Sequence, residues 1–327
     1  MPLSFSDSPN PLSSGLPEWY LKSRKSAWDN FLDTPFPQRK DENWRFANLK
    51  KISYENITDA ENNNEFDYEK YTSNSVSLNG DSEKIIFNND SLSFQSPIDN
   101  DLLAKGFIFK PLSQALIEHG DLIQSYFMKE EPKLGSDKFY RLNQARQKEG
   151  YFVYIPEGLS IPKPIEVFNW ISGKDSAIFP NNLIVSGKGS EVSVAEYVAS
   201  ADDQFGLVCG VSDLIAEDDS KLTYVRTQNL SEKAHSIQLS NVLSHNNSKV
   251  KNFSLNLGCE WLRHESVSRL LGKGANSEMI SVSVPESSQE FDMRTLQLHE
   301  KPSTSSNLLY KKTRSISHFA QTNRDKV

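Results

Sequence analysis

A serine followed by any residue and then an apolar one returns at nearly constant distance through the second half of this chain. No other feature limits the fold as much. The unit stands at Ser190-Glu191-Val192, Ser220-Lys221-Leu222, Ser248-Lys249-Val250, Ser277-Glu278-Met279 and Ser306-Asn307-Leu308, with a shifted copy at Ser160-Ile161-Pro162. The steps from each serine to the next are 30, 30, 28, 29 and 29. Most units follow turn chemistry, as at Gly187-Lys188-Gly189, Glu217-Asp218-Asp219, His245-Asn246-Asn247 and Gly272-Lys273-Gly274. Most lead into an alternating run such as Val192-Ser193-Val194-Ala195. A fixed period of this length, made of turns and strands, marks a solenoid. Its strand content excludes helical repeat arrays and leaves a β-helix or closely stacked β-solenoid, with a β-sandwich of evenly spaced hairpins as the alternative.

The first half of the chain has a different rhythm. Residues 1–15, rich in Ser and Pro, read as a disordered tail. Apolar residues at helical spacing predict helices over Pro17–Leu32, Ser113–Lys129 and Ser136–Glu149, with Gly150 placed as a left-handed helix stop. Residues 55–75, rich in Asn and acid, read as a loop or mobile insertion. The expected organisation is a tail (1–15), a helical or mixed N-terminal region (16–149), a β-helix core (150–311) and an aberrant tail (312–327).

Thirty-six Lys and Arg against 43 Asp and Glu give a net charge of −7, which disfavours a general nucleic-acid or anionic-membrane binder. The two cysteines, Cys209 and Cys259, exclude a disulfide framework and an all-cysteine ligand set for zinc or an iron–sulfur cluster. The opening residues, Met1 to Asp7, carry neither the basic nor the apolar part of a secretory signal, and no apolar run approaches the ~20 residues of a membrane span. A soluble, cytoplasmic protein is expected.

Four stretches together resemble one family. Glu42-Asn43-Trp44-Arg45-Phe46 is similar to its early Glu-x-Trp-Arg-Tyr segment. Leu142-Asn143-Gln144-Ala145, then Gly150 to Gly158 and Pro164-Ile165, are similar to its approach to the β-helix. Gly272-Lys273-Gly274-Ala275 is similar to a turn within it. Gln289 to Thr295, with His299, Pro302 and Ser305 to Lys311, are similar to its most recognisable block. The family is SufB/SufD, the scaffold subunits of SUF iron–sulfur cluster assembly, and the early tryptophan segment is more like SufD than SufB.

The resemblance implies a right-handed parallel β-helix preceded by an α-helical N-terminal region. It implies a SufB-like scaffold and a SufC-like ATPase as partners, with the iron–sulfur cluster transient on the complex and ATP on the ATPase. The family continues beyond its Tyr-Lys block with further coils, a Cys-x-His-Gly segment and a C-terminal helical domain for docking the ATPase. Here Lys311 is followed only by residues to Val327, so the chain looks like a C-terminally shortened SufD and the family's cluster-related histidine has no counterpart.

The candidate metal ligands are weak. Cys259 and His264 differ by an odd number of positions; on one strand they face opposite sides and cannot chelate one ion without a bulge. Cys259 reads as a buried or incidental thiol and Cys209 as a small core residue. His299 reads as a residue that orders a turn by hydrogen bonding rather than as a ligand, and His318 lies in the aberrant tail. The Gly-Lys-Gly stretches lack the phosphate-loop pattern and sit at repeat turns. Glu217-Asp218-Asp219 reads as a solvated turn rather than a calcium site. The leading expectation is a non-enzymatic scaffold or accessory subunit without a tightly bound cofactor of its own. The alternatives are a carbohydrate-active β-helix enzyme of the lyase type, which needs stacked carboxylates absent from this repeat, and a truncated paralogue without function.

Overall fold

A computed structural model of the protein describes residues 14–52, 54, 57–63, 66–73, 82–286 and 288–313. Its first half contains α1 (Glu18–Asp33), a 3-10 turn at Glu42–Trp44, β1 (Thr58–Asp59), α2 (Tyr68–Ser73), β2 (Lys84–Asn88), β3 (Ser91–Gln95), α3 (Asn100–Ala104), β4 (Ile108–Pro111), α4 (Leu112–Gln124) and α5 (Asp137–Arg146). Strands make up the described remainder: β5 (Tyr151–Ile155), β6 (Ile165–Ile171), β7 (Ser176–Ile178), β8 (Asn181–Ser186), β9 (Glu191–Ser200), β10 (Gly206–Ala216), β11 (Lys221–Asn229), β12 (His235–Ser244), β13 (Lys249–Asn256), β14 (Trp261–Leu270), β15 (Asn276–Ser283), β16 (Glu290–His299) and β17 (Ser305–Lys312).

From β8 onward successive strands alternate between two parallel sheets, and a strand from each makes one coil of a β-solenoid. One sheet runs β4-β5-β8-β10-β12-β14-β16 and the other β3-β2-β6-β9-β11-β13-β15-β17. The register explains the sequence repeat. Lys221 lies beside Glu191, Lys249 beside Lys221, Asn276 beside Lys249 and Ser305 beside Asn276. A residue of positive φ recurs with the same steps at Gly189, Asp219, Asn247, Gly274 and Ser303, with φ between 52° and 74°. After three of these turns a hydroxyl closes back onto the carbonyl three positions earlier: Ser220 to Glu217 (2.7 Å), Ser248 to His245 (2.8 Å) and Thr304 to Lys301 (3.0 Å).

The structural counterparts of Ser248 are therefore Ala275 and Thr304. Ser277 and Ser306, which the sequence repeat aligns with it, lie two positions further on. A slip of two preserves strand parity, so Ser277 still faces inward and is fully buried.

The two sheets differ in what covers them. Strands β9, β11, β13 and β15 alternate between buried and partly or fully exposed residues, with the buried set facing the solenoid interior. Strands β10, β12 and β14 are buried almost throughout, because α1, α4 and α5 cover their outer face. Tyr20, Phe31, Leu116 and Phe139 pack there with Leu207, Cys209, Leu239 and Trp261.

Trp44 locks this layer. Its ring stacks on Trp261 with centroids 6.3 Å apart, and its Nε1 donates to the Gly135 carbonyl at 2.7 Å. The guanidinium of Arg263 lies 4.1 Å from the Trp44 ring centroid and donates to the carbonyls of Asn43 (2.9 Å) and Leu134 (2.8 Å) and to the carboxylates of Glu265 and Asp292.

Three expectations need correction. The span 55–75 is not simply a loop: β1 pairs in parallel with β7, Asp59 receives Arg146 at 2.8 Å, and Phe66 stacks on Tyr71 of α2. The helices end at Gln124 and Arg146, earlier than the spacing suggests. Gly150 is not a helix stop; a Cβ there would lie 1.9 Å from the Asn181 carbonyl oxygen, so glycine is required by close backbone approach. The expected N-terminal tail falls largely outside the described residues, as do His318 and nearly all of the expected C-terminal tail.

Candidate functional site

Inward parity in the second sheet aligns residues in rows along the solenoid axis. One row is Glu196, Arg226, Ser254 and Ser281; its neighbour is Val198, Gln228, Asn256 and Ser283. On the first sheet the inward rows include Ser212, Ser240 and Ser266, and Gly210, Gln238 and His264. The interior of the middle coils therefore carries polar rows, closed to solvent, beside apolar ones such as Val192, Leu222 and Val250.

Many of these polar groups bond one another along the axis, but Arg226 Nε and Nη1, Gln228 Oε1 and His264 Nδ1 are buried without a hydrogen-bond partner among the described residues. Glu196 accepts from Asn169 (2.7 Å), Asn182 (3.0 Å) and the Tyr224 hydroxyl. Arg226 faces the same carboxylate, Nε to Oε2 at 3.7 Å, and both side chains are at most 2% exposed. Gln238 donates to Ser212 at 3.1 Å, and the His264 Nε2 lies 3.1 Å from both the Ser240 and Ser266 hydroxyls. Burial, with the nearby Arg226 charge, pushes the His264 pKa down to about 3, so the ring is neutral. Chemically this is a buried polar spine that holds the Glu196 and Arg226 charges and fixes the orientation of the amides and hydroxyls around them.

The three candidate ligands lie in different settings. Cys259 is not on a strand: it precedes β14 in a turn with φ 79°, so the strand-parity argument does not apply to it. Its thiol is buried, and burial raises its pKa well above the ordinary value. His264 is on β14 and points into the spine. His299 ends β16 and is exposed; its Nδ1 lies 2.8 Å from Thr304 Oγ1 and its Nε2 2.9 Å from Ser306 Oγ, which ties the turn to β17. No hydrogen bond joins any two of these three among the described residues. Nor do those residues contain a group of three or more His, Cys, Asp or Glu placed to hold a metal ion. Asp218 and Asp219 are held by Asn246 and Asn247 of the next turn at 3.0 and 3.1 Å.

The last described coil differs from those before it. All of β16 up to its terminal histidine is only partly buried, and on β17 Leu308 and Leu309 are 46% and 44% exposed. The inward row that ends in Met279 thus continues into an exposed Leu308. Sequence reasoning misses the spine itself, although parity places it within reach: Glu196 stands two positions from Val194 and from Val198, on the same strand face.

Comparison with known proteins assigns both halves of the chain to one family. A model described as the SufBD protein N-terminal region matches residues 5–167. One described as the SufBD core domain of SUF system FeS cluster assembly matches residues 169–315. An iron–sulfur cluster assembly SufBD family protein of Staphylococcus haemolyticus is 25% identical over 319 residues, covering 90% of this chain and 65% of the relative. A Staphylococcus aureus protein of the same description is also 25% identical over the same coverage. The iron–sulfur cluster assembly protein SufD of Bacillus subtilis is 26% identical over 219 residues, 66% of this chain and 49% of the relative. The chain spans less than two thirds of the length of these relatives. No helix among the described residues is long and apolar enough to cross a membrane.

Proposed function

Because the chain belongs to the SufBD family of SUF iron–sulfur cluster assembly, we propose that it is a SufD-like, non-catalytic scaffold or accessory subunit of that cytoplasmic system. The observation that carries this reading is the consecutive match of both family regions along the chain, at residues 5–167 and 169–315. A SufB-like scaffold and a SufC-like ATPase are its partners, ATP is bound and hydrolysed by the latter, and the cluster is transient cargo of the complex rather than a resident cofactor of this chain. The state of the candidate ligands supports that division of labour. The Cys259 thiol is buried and kept protonated, His264 is engaged by two serines, and both His299 nitrogens are engaged by the turn.

The test is co-expression of the tagged chain with the SufB-like and SufC-like proteins of its own genome, followed by size exclusion with light scattering. The proposal expects co-elution of all three at fixed stoichiometry. Elution of the chain alone, with the other two forming a complex without it, would overturn it.

A further inference from the structure

On a chain of net charge −7, residues 36–51 hold five cations, Arg39, Lys40, Arg45, Lys50 and Lys51, against two acids, Asp41 and Glu42. The segment folds around a shallow groove of about 450 Å³ lined by Phe36, Pro37, Gln38, Arg39, Leu49 and Lys50. Its walls are apolar, from Phe36, Pro37 and Leu49, and its rim is cationic.

Lys51 has carboxylate partners, at 3.3 Å from Glu260 and 3.8 Å from Glu290. Arg39, Lys40 and Lys50 are exposed and have no ion pair among the described residues. Arg45 spends its guanidinium on the ring of Phe46, 4.5 Å away, and that ring is 75% exposed.

The groove is also held in shape. Phe36 packs edge-on against Phe139 with centroids 5.8 Å apart. Between the two ends of the segment, buried Trp44 and the Arg263 bond to the Asn43 carbonyl fix the backbone to the solenoid. A rigid floor lowers the ordering cost of binding.

We propose that this groove docks an acidic peptide segment of a partner protein, with one bulky apolar side chain seated between Phe36 and Leu49 and carboxylates facing Arg39 and Lys50. The volume suits one large side chain and its neighbours; it lies at the lower part of the roughly 300–1,000 Å³ of ligand pockets. Complementary charge favours a carboxylate-rich partner, while the negative charge of the whole molecule opposes extended contact with nucleic acid or an anionic bilayer. The groove stands apart from the cluster-assembly reading: it requires a partner of this chemistry, not a particular pathway.

The test is fluorescence anisotropy with a labelled dodecapeptide probe, Glu- and Asp-rich around a central Leu-Phe pair, against the full chain. Two control probes replace the acids with Lys or the Leu-Phe pair with Ser-Ser. The expected result is binding of the acidic Leu-Phe probe at least about tenfold tighter than either control, weakening between about 50 and 300 mM salt. Arg39→Glu with Lys50→Glu should abolish that preference. Lys105→Glu with Lys174→Glu, equal in charge change but outside the groove, should reduce it far less. Circular dichroism confirms that both double variants fold.

Equal binding of the three probes, equal loss in the two double variants, or tighter binding of single-stranded RNA or phosphatidylserine vesicles through the same residues would overturn the proposal.

Discussion

Replacing Glu196 with alanine tests the polar spine where it is most tightly coupled. The carboxylate is 1% exposed, accepts from Asn169, Asn182 and Tyr224, and faces Arg226, which is 2% exposed. Its loss strands a buried guanidinium, a change that costs about 3–5 kcal/mol when one partner of such a pair is removed. The three donors lose an acceptor at about 1 kcal/mol each, but Asn182 and Tyr224 retain Ser212 at 3.3 and 3.4 Å, so these terms overlap. The expected cost is about 5 kcal/mol for Glu196→Ala and about half that for Glu196→Gln, which keeps an acceptor. Combining Glu196→Gln with Arg226→Met removes both charges, so the pair should cost less than the sum of its members by about 2 kcal/mol or more. Urea unfolding followed by circular dichroism and tryptophan fluorescence measures the wild type, Glu196→Ala, Glu196→Gln, Arg226→Met and the double variant. A cost below about 1 kcal/mol for Glu196→Ala, or strict additivity in the double variant, would refute a coupled buried pair.

Three further outcomes follow from particular contacts. Because burial holds the His264 pKa near about 3 rather than 6.5, the unfolded chain binds a proton that the folded chain refuses between those values. Stability is fully present above pH 6.5 and falls as pH drops towards 3, by about 1.4 kcal/mol per unit, and a His264→Asn variant should lack this component in unfolding titrations at stepped pH. Asp213, raised by burial to about 6, acts with the opposite sign in an overlapping window, so wild type and variant must be compared at each pH. Gly150→Ala drives a Cβ to 1.9 Å from the Asn181 carbonyl oxygen and should cost about 3 kcal/mol or more, read as a lowered thermal midpoint or failure to fold. The exposed Leu308 and Leu309 should cause self-association at tens of micromolar; light scattering should show it relieved by Leu308→Lys with Leu309→Glu, and a monomeric wild type no less soluble than the variant would contradict this.

The solenoid is legible because each coil is written twice, once as a turn and once as an alternating strand. The period is correct, but the serine repeat sets Ser277 and Ser306 two positions out of step, because the coil containing β13 and β14 is shorter than those before it. A match to serine alone does not detect that; the positive-φ residues Gly274 and Ser303 do. The strands β2 and β3 escape the sequence reading although Asn89 and Asp90, both at positive φ, form a tight hairpin turn between two apolar runs. The spine is missed for a different reason. Alternation reads as apolar inside and polar outside, and an inward Glu196 or Arg226 breaks that rule while keeping the parity. The parity argument for Cys259 and His264 assumes a strand that begins only at Trp261, after the cysteine. Trp44 is recognisable as part of a family segment, but its partners Trp261, Gly135 and Arg263 lie far along the chain, beyond the reach of any local pattern.

The central claim is that this chain supports cluster assembly without holding a cluster itself. Iron and acid-labile sulfide should therefore be measured after anaerobic reconstitution of the isolated chain, of the complex with its SufB-like and SufC-like partners, and of those partners alone. The account predicts less than about one iron per isolated chain, unchanged by Cys259→Ser, and more cluster on the complex than on the partners without this chain. Stoichiometric iron and sulfide on the isolated chain, lost with Cys259→Ser, would contradict it, as would equal loading of the partners in its absence.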